Sequence, residues 1–159
     1  MKILAGVDDS ANSRAALDFI RRAAWPAGTE VIVLSVAVPQ VAAYSMMDAG
    51  AASYLKEIQD ALVRRHEELA ARAEHELRQA GVSARAQVAQ GDPRDVLVRA
   101  AEAERADLLV VGSHGRSGLA KLLMGSVANH VVTHAPCSVL VVKIPPAQEP
   151  ARESGGERS

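Results

Sequence analysis

Aromatic residues are scarce in this 159-residue chain: Phe, Trp and Tyr together make up 3%. Stacking platforms for unpaired bases are therefore few, which argues against single-stranded nucleic-acid binding, and Ala, Val and Leu must build the core. Charge of one sign is lacking too. With 18 Lys and Arg against 19 Asp and Glu, the net charge is −1, so no global basic field attracts a polyanion. Cys137 stands alone, which excludes an intramolecular disulfide and any all-cysteine metal site. No apolar run approaches the roughly 20 residues of a membrane span, and the opening MKILAGVDDS lacks an adequate signal-peptide h-region. These absences lead to the expectation of a cytoplasmic protein that engages neither nucleic acid nor membrane.

What is present suits one globular domain. Apolar residues make up 48% and charged residues 23%, enough to bury a substantial core at this length. Five apolar runs read as strands: Lys2 to Val7, Glu30 to Val38, Ala84 to Ala89, Leu108 to Val111 and Ser138 to Val142. The third is the most polar and is expected at an edge. Near-continuous apolar runs, rather than clean alternation, indicate strands covered on both faces, as in a parallel sheet. Between them lie helical patterns. Ser10 or Asn12 can cap a first helix to about Ala24, with Ala16, Phe19, Ile20 and Ala23 on one face. Ser53 to Ala80 carries the stripe Leu55, Ile58, Leu62, His66, Leu69, Ala73 and Leu77, and Gly81 is placed to stop it. Asp92-Pro93 opens a third helix, with Asp as cap and Pro at the first helical position, turning Val96, Leu97, Ala100 and Ala101 inward. Ser126 to His134 is the fourth. Pro39 to Ala52, with Met46 and Met47, carries no periodic signal, and residues 144–159 have the composition of a disordered tail.

The order βαβαβαβαβ calls for a doubly wound, five-stranded, mostly parallel sheet in a three-layer α/β/α arrangement of Rossmann-like type. Ligands of such sheets bind beyond the carboxyl ends of the strands, where strand order reverses. Two motifs fall at that edge: the acidic turn Gly6-Val7-Asp8-Asp9-Ser10, and the loop Gly112-Ser113-His114-Gly115-Arg116-Ser117-Gly118, followed by Gly125-Ser126. A strand that runs into glycines and then a helix start suits an anion, because backbone N–H groups converge where no Cβ intervenes. The loop contains no GxxxxGK[ST], and no GxGxxG follows the first strand, so it is neither a Walker nor a dinucleotide motif.

The spacing Gly112-x2-Gly115-x9-Gly125-Ser126 resembles the universal stress protein family, in the branch carrying an ATP-binding G-x2-G-x9-G-[S/T] motif. ILAGVDDS resembles the family's opening strand and acidic turn, and HAPCSVLVV its last strand, so the resemblance spans about residues 1–143. It implies an adenine-nucleotide alpha hydrolase-like fold and an adenosine nucleotide as ligand, ATP foremost, with Mg2+ as the candidate accompanying cation. Asp8 would contact the adenine end and Val36 would line the base pocket. Gly112 and Gly115 would let the loop approach ribose and phosphates. Gly125, Ser126 and Val127 would hold phosphate through main-chain N–H groups and the Ser126 hydroxyl. Arg116 is placed for charge-assisted bonds to phosphate oxygens, with Lys121 able to assist. Gly6, Val7, Ser10, His114 and Gly118 complete the candidate nucleotide-contacting set. The family often has Gly where this chain has Asp9, a carboxylate that would repel phosphate unless it points outward or holds a divalent cation. The resemblance also implies a homodimer paired through Ser138 to Val142, an edge hazard if left open.

Other features read more plainly. His130 and His134 lack the glutamate of HExxH and any third ligand, which leaves a metal site without support. His66 reads as a satisfied, partly buried histidine and Cys137 as a small hydrophobe. Ser113 and His114, adjacent in sequence, are not expected to face each other as a catalytic pair, and no GxSxG elbow exists. The residues therefore point to binding before catalysis, and the resemblance implies a regulatory, stress-response module with slow or no ATP hydrolysis. Two alternatives stand beside it. One is a small nucleotide-dependent hydrolase using Asp8, Asp9 or His114, and the other a nucleotide-free dimeric interaction module.

Overall fold

The computed structural model describes residues 1–39, 49–115 and 124–144, with nothing said of the side chains of 49–52. Five strands, β1 (Lys2–Val7), β2 (Glu30–Ala37), β3 (Ser83–Gln90), β4 (Leu108–Gly112) and β5 (Ser138–Val142), alternate with α1 (Ala11–Arg22), α2 (Ala49–Gln79), α3 (Pro93–Ala103) and α4 (Ser126–His134). The sheet runs β3-β2-β1-β4-β5 and all four pairings are parallel. The polar third strand lies at one edge, as its composition predicts. The chain lays β2 and β3 to one side of β1 and β4 and β5 to the other, so strand order reverses between β1 and β4, where Ile3 pairs with Leu108 and Ala5 with Val110.

Both faces of the sheet are covered. Ile3, Ala5, Val7, Val31, Val33 and Val110 point to one side, against Ala16 and Ile20 of α1 and Ala70, Ala73 and Leu77 of α2. Their neighbours Leu4, Ile32, Leu34, Val36, Leu109 and Val111 point to the other, against Val96, Leu97 and Ala101 of α3 and Ala128 and Val131 of α4. The period-2 alternation of side chains thus feeds two apolar layers, which is why the strands read as continuous apolar runs. At the amino ends of the strands, Arg85 bonds Glu104 at 2.7 Å and Glu30 at 3.2 Å. The carboxyl ends carry the candidate motifs.

The helix boundaries follow local chemistry. Ser10, not Asn12, caps α1: its Oγ accepts from the Ser13 N–H at 3.1 Å. Asp92 caps α3 by accepting from Arg94 N–H at 2.9 Å, with Pro93 in the first turn. Gly81, at φ +81°, takes the left-handed conformation that ends α2, and Val82 N–H then donates to Leu77 O at 3.0 Å. Two expectations need correction. α2 begins at Ala49, inside the stretch without periodic signal. Phe19 is 39% exposed rather than core-facing, and packs edge-on against Trp25 at 6.5 Å between ring centroids. Met46, Met47 and residues 145–159, the expected tail apart from Ile144, lie outside the described residues.

Candidate functional site

The acidic turn is held by the start of α1. Asp8 N–H donates to Ser13 Oγ and Asp8 Oδ1 accepts from Ser10 N–H, both at 3.0 Å. These bonds fix the carboxylate so that its Oδ2 lies beside Gly115, where an added Cβ would stand 2.9 Å from it. Asp9 goes elsewhere. Its carboxylate pairs with Arg65 of α2 and lines a separate small cavity of about 70 Å3, not the main one. The second carboxylate is thus engaged by a cation on α2.

The glycine loop is pinned from several sides. Ser113 N–H donates to Val142 O at 2.8 Å, and Gly125 N–H donates to Ser113 O at 2.7 Å. Ser10 Oγ donates to His114 O at 3.4 Å, and Ser113 Oγ to Asn12 Oδ1 at 3.2 Å. Gly112 is where α1 comes closest: an added Cβ would sit 2.6 Å from the Asn12 carbonyl carbon and 2.8 Å from its oxygen. The glycine at this position is thus demanded first by α1, before any ligand. Gly125 is the N-cap of α4 and has no side chain to cap it. The first bond into that helix is Asn129 N–H to Gly125 O at 2.9 Å, so the amides of Ser126, Val127 and Ala128 precede it and give the helix end its donor character.

Turn and loop open on one cavity of about 400 Å3. Of the residues singled out from sequence, Gly6, Val7, Asp8, Val36, Gly112, His114, Gly115, Gly125, Ser126 and Val127 line it. Ser10 does not; it works from behind, as helix cap and anchor of the His114 carbonyl. Arg116, Gly118 and Lys121 lie outside the described residues. The sequence reading missed Ser13, Leu34, Val38, His66, Pro93, Leu97, Val111 and Ala128 as wall residues. Leu97 reaches the cavity because Gly6 makes room, as a Cβ there would stand 3.0 Å from the Leu97 side chain. His66 is hydrogen-bonded as expected, with Nδ1 2.8 Å from Ser35 Oγ, but is buried rather than partly buried.

The walls divide by chemistry. At the β2 end they are aliphatic, apart from His66. At the β4 end they are backbone, with the α4 N-terminus and the Asp8 carboxylate close by. An elongated ligand with a flat apolar part and an anionic part suits both ends at once. Contrary to expectation, Ser113 Oγ does lie 3.2 Å from the neighbouring His114 Nδ1, because both belong to the tightly pinned turn. Ser113 is nevertheless buried, bonded to Asn12 and absent from the cavity wall. His130 and His134 stack on each other at 4.2 Å, and among the described residues no three His, Cys, Asp or Glu side chains gather as a metal site. Burial pushes the Cys137 thiol up from its ordinary value, which suits a small hydrophobe rather than a nucleophile.

Residues 1–143 match the model of the universal stress protein family. The chain belongs to that family. A Bacillus subtilis universal stress protein is 28% identical over 145 residues, spanning 89% of this chain and 98% of that protein. Five other curated universal stress proteins match over segments that span only 36–51% of their own length. Among solved structures, the universal stress protein MJ0577 of Methanocaldococcus jannaschii superposes with a TM-score of 0.79 at 27% identity, covering 92% of this chain and 97% of that one. A universal stress protein in complex with cAMP superposes with a TM-score of 0.59 at 29% identity, covering 89% and 96%. The universal stress protein fold is therefore the setting in which the cavity has to be read. No helix among the described residues is long and apolar enough to cross a membrane.

Proposed function

We propose that this universal stress protein binds an adenosine nucleotide, ATP foremost, across the carboxyl ends of β2, β1 and β4. The observation that carries this reading is the single cavity joining an aliphatic slot to a glycine-lined helix N-terminus. Its volume of about 400 Å3 falls within the usual range for small-molecule sites, about 300–1,000 Å3. The cAMP held by a structural relative supports the ligand class. In this reading Leu34, Val36, Val38 and Leu97 pack against the base, and Asp8, whose Oδ2 lies beside Gly115, meets the ribose side rather than the adenine end that the resemblance implies. The amides of Ser126 and Val127 with the Ser126 hydroxyl take phosphate oxygens, and Arg116 and Gly118 extend the phosphate contacts. A Cβ at Gly115 would stand 2.9 Å from Asp8 Oδ2 and one at Gly125 3.2 Å from the Ser113–His114 backbone, so both glycines let the turn lie close to the helix N-terminus that would take phosphate. Mg2+ would enter with the phosphates, with the Asp8 carboxylate beside Gly115 as a candidate ligand.

The chain's own groups bind and orient. Asp8 is tied to the α1 N-terminus, which suits it to holding a ribose hydroxyl better than to activating water. The proposed role is thus a regulatory, stress-response nucleotide-binding module that turns ATP over slowly or not at all. We extend the proposal to a homodimer paired along β5, which forms an outer edge of the sheet.

One preparation tests the whole reading. Calorimetric titration with ATP and AMP is expected to give saturable binding for the wild-type chain and at least about tenfold weaker binding for Gly115→Ala/Gly125→Ala, the loss of roughly one charge-assisted contact. No saturable binding by the wild type overturns the nucleotide reading, and equal affinity in the two proteins overturns the role given to the glycines. Turnover above about once per minute, low against typical enzyme rates, overturns the binding role. A monomer by light scattering at high concentration overturns the dimer.

A further inference from the structure

The polar strand β3 forms one edge of the sheet and β5 the other. An edge strand offers a row of N–H and C=O groups to any strand that can lie beside it, and a second copy of the chain can supply one. Gly91, just past β3, donates its N–H to Ala37 O at 3.0 Å. Because successive residues of a strand turn to opposite sides, the even-numbered amides of β3 face away from β2. Two of these outward groups are taken by α2. Ala86 N–H donates to Glu74 Oε2 at 2.9 Å, and Ala84 O accepts from Arg78 Nε at 2.8 Å. Glu74 and Arg78 also pair with each other at 2.9 Å, one turn apart on the helix.

In a parallel ladder, one residue of an incoming strand donates its N–H to a carbonyl of the edge and accepts from the amide two residues further on. Ala84 O and Ala86 N–H are such a pair. Arg78 supplies the donor and Glu74 the acceptor, so the two side chains occupy the place of one strand residue. As an ion pair they contribute little to stability, since Arg78 is 60% exposed and exposed helix pairs are weak. What an ordinary surface pair lacks is this donor–acceptor match to the strand. The buried cluster of Ala70, Ala73 and Leu77 with Ala84 anchors α2 to β3 and so holds both side chains at the edge. We propose that Glu74 and Arg78 close the β3 edge to strand addition by a second copy of this chain. This closure is independent of nucleotide binding and of pairing along β5.

The test is a light-scattering concentration series, in which the wild-type chain is expected to reach a limiting mass. The charge swap Glu74→Arg/Arg78→Glu keeps an ion pair but sets donor against donor and acceptor against acceptor at the edge. Its mass is expected to climb past that limit to about twice its value or more, as copies add through the opened strand. Glu74→Gln, which keeps the acceptor, is expected to hold the wild-type limit. Amide hydrogen exchange at Ala86 gives the local readout. In dilute solution it should be about tenfold faster in the swap than in the wild type, as loss of one hydrogen bond predicts, and it should slow again as copies add. A wild type that grows without limit, or a swapped chain that keeps the wild-type limit, overturns the inference. So does unchanged exchange at Ala86, association that leaves Ala86 exchanging fast, or a Glu74→Gln chain that associates as far as the swap. If the swap fails to give a cooperative melt, Glu74→Ala carries both measurements, and wild-type mass or wild-type Ala86 exchange in that variant overturns the closure.

Discussion

The β2 end of the cavity is walled by side chains, Leu34, Val36, Val38 and Leu97, whereas the β4 end rests on Gly112, Gly115 and Gly125. At the first, shape comes from atoms that fill space between sheet and α3. At the second, it comes from atoms that are missing, which lets α1, the Asp8 carboxylate and the turn at His114 close in on bare backbone. The two ends are therefore fragile in opposite senses. A smaller residue damages the former, a larger one the latter, and each can be probed without touching the other.

The largest effect is expected at the glycine end. In Gly112→Ala the new carbon meets the backbone of Asn12 at 2.6 Å, and neither β4 nor α1 can yield without losing the Ser113 anchors. A cost of about 3 kcal/mol, the upper part of the overpacking range, should appear in urea unfolding, and a change under about 1 kcal/mol would show that this end is not built on close approach. Leu97→Ala makes the mirror-image test. The residue is 4% exposed, yet one side already faces the cavity, so the loss should sit near the low end of the Leu→Ala range, about 2 kcal/mol. A neutral Leu97→Ala would mean that the aliphatic wall contributes nothing to the fold.

The smallest effect concerns the cap that steadies α3 behind that wall. Folding holds the Asp92 carboxyl at about 2, against an ordinary 3.8, chiefly through the Arg94 side chain and then the Arg94 amide. A carboxyl depressed in the folded chain stabilises above its unfolded value, and that contribution is lost as the pH falls through the folded value. The wild-type melting temperature should therefore drop slightly more than that of Asp92→Asn between about pH 4 and 2. The group is well exposed, so the difference is small, and parallel profiles would remove the cap from this account.

How far the chain announces this arrangement differs by element. β1, β5 and α4 have the bounds that their apolar runs and the Gly-Ser junction suggest, since each is limited by local chemistry. The polar β3 declares its edge position for the same reason. Strand order is not local: the adjacency of β1 and β4 rests on pairing between residues such as Ala5 and Val110. Site residues follow the same division. Asp8, Gly115 and Ser126 stand in motifs and were readable. His66, Pro93 and Leu97 read as buried stripe, helix start and core, because their second role depends on how α2 and α3 are registered against the sheet. Phe19 misled for a related reason, as its partner is Trp25 just beyond α1 rather than the sheet.

The bond between Ser10 and His114 joins residues 104 positions apart. A ribosome adding about 5–20 residues per second needs roughly 5–20 s to go from one to the other. During that interval the acidic turn exists with no glycine loop to complete it. A ligand spanning both ends would bind only a chain to which β4 and the start of α4 have been added, so occupancy of this cavity would record that the two halves of the sheet have met.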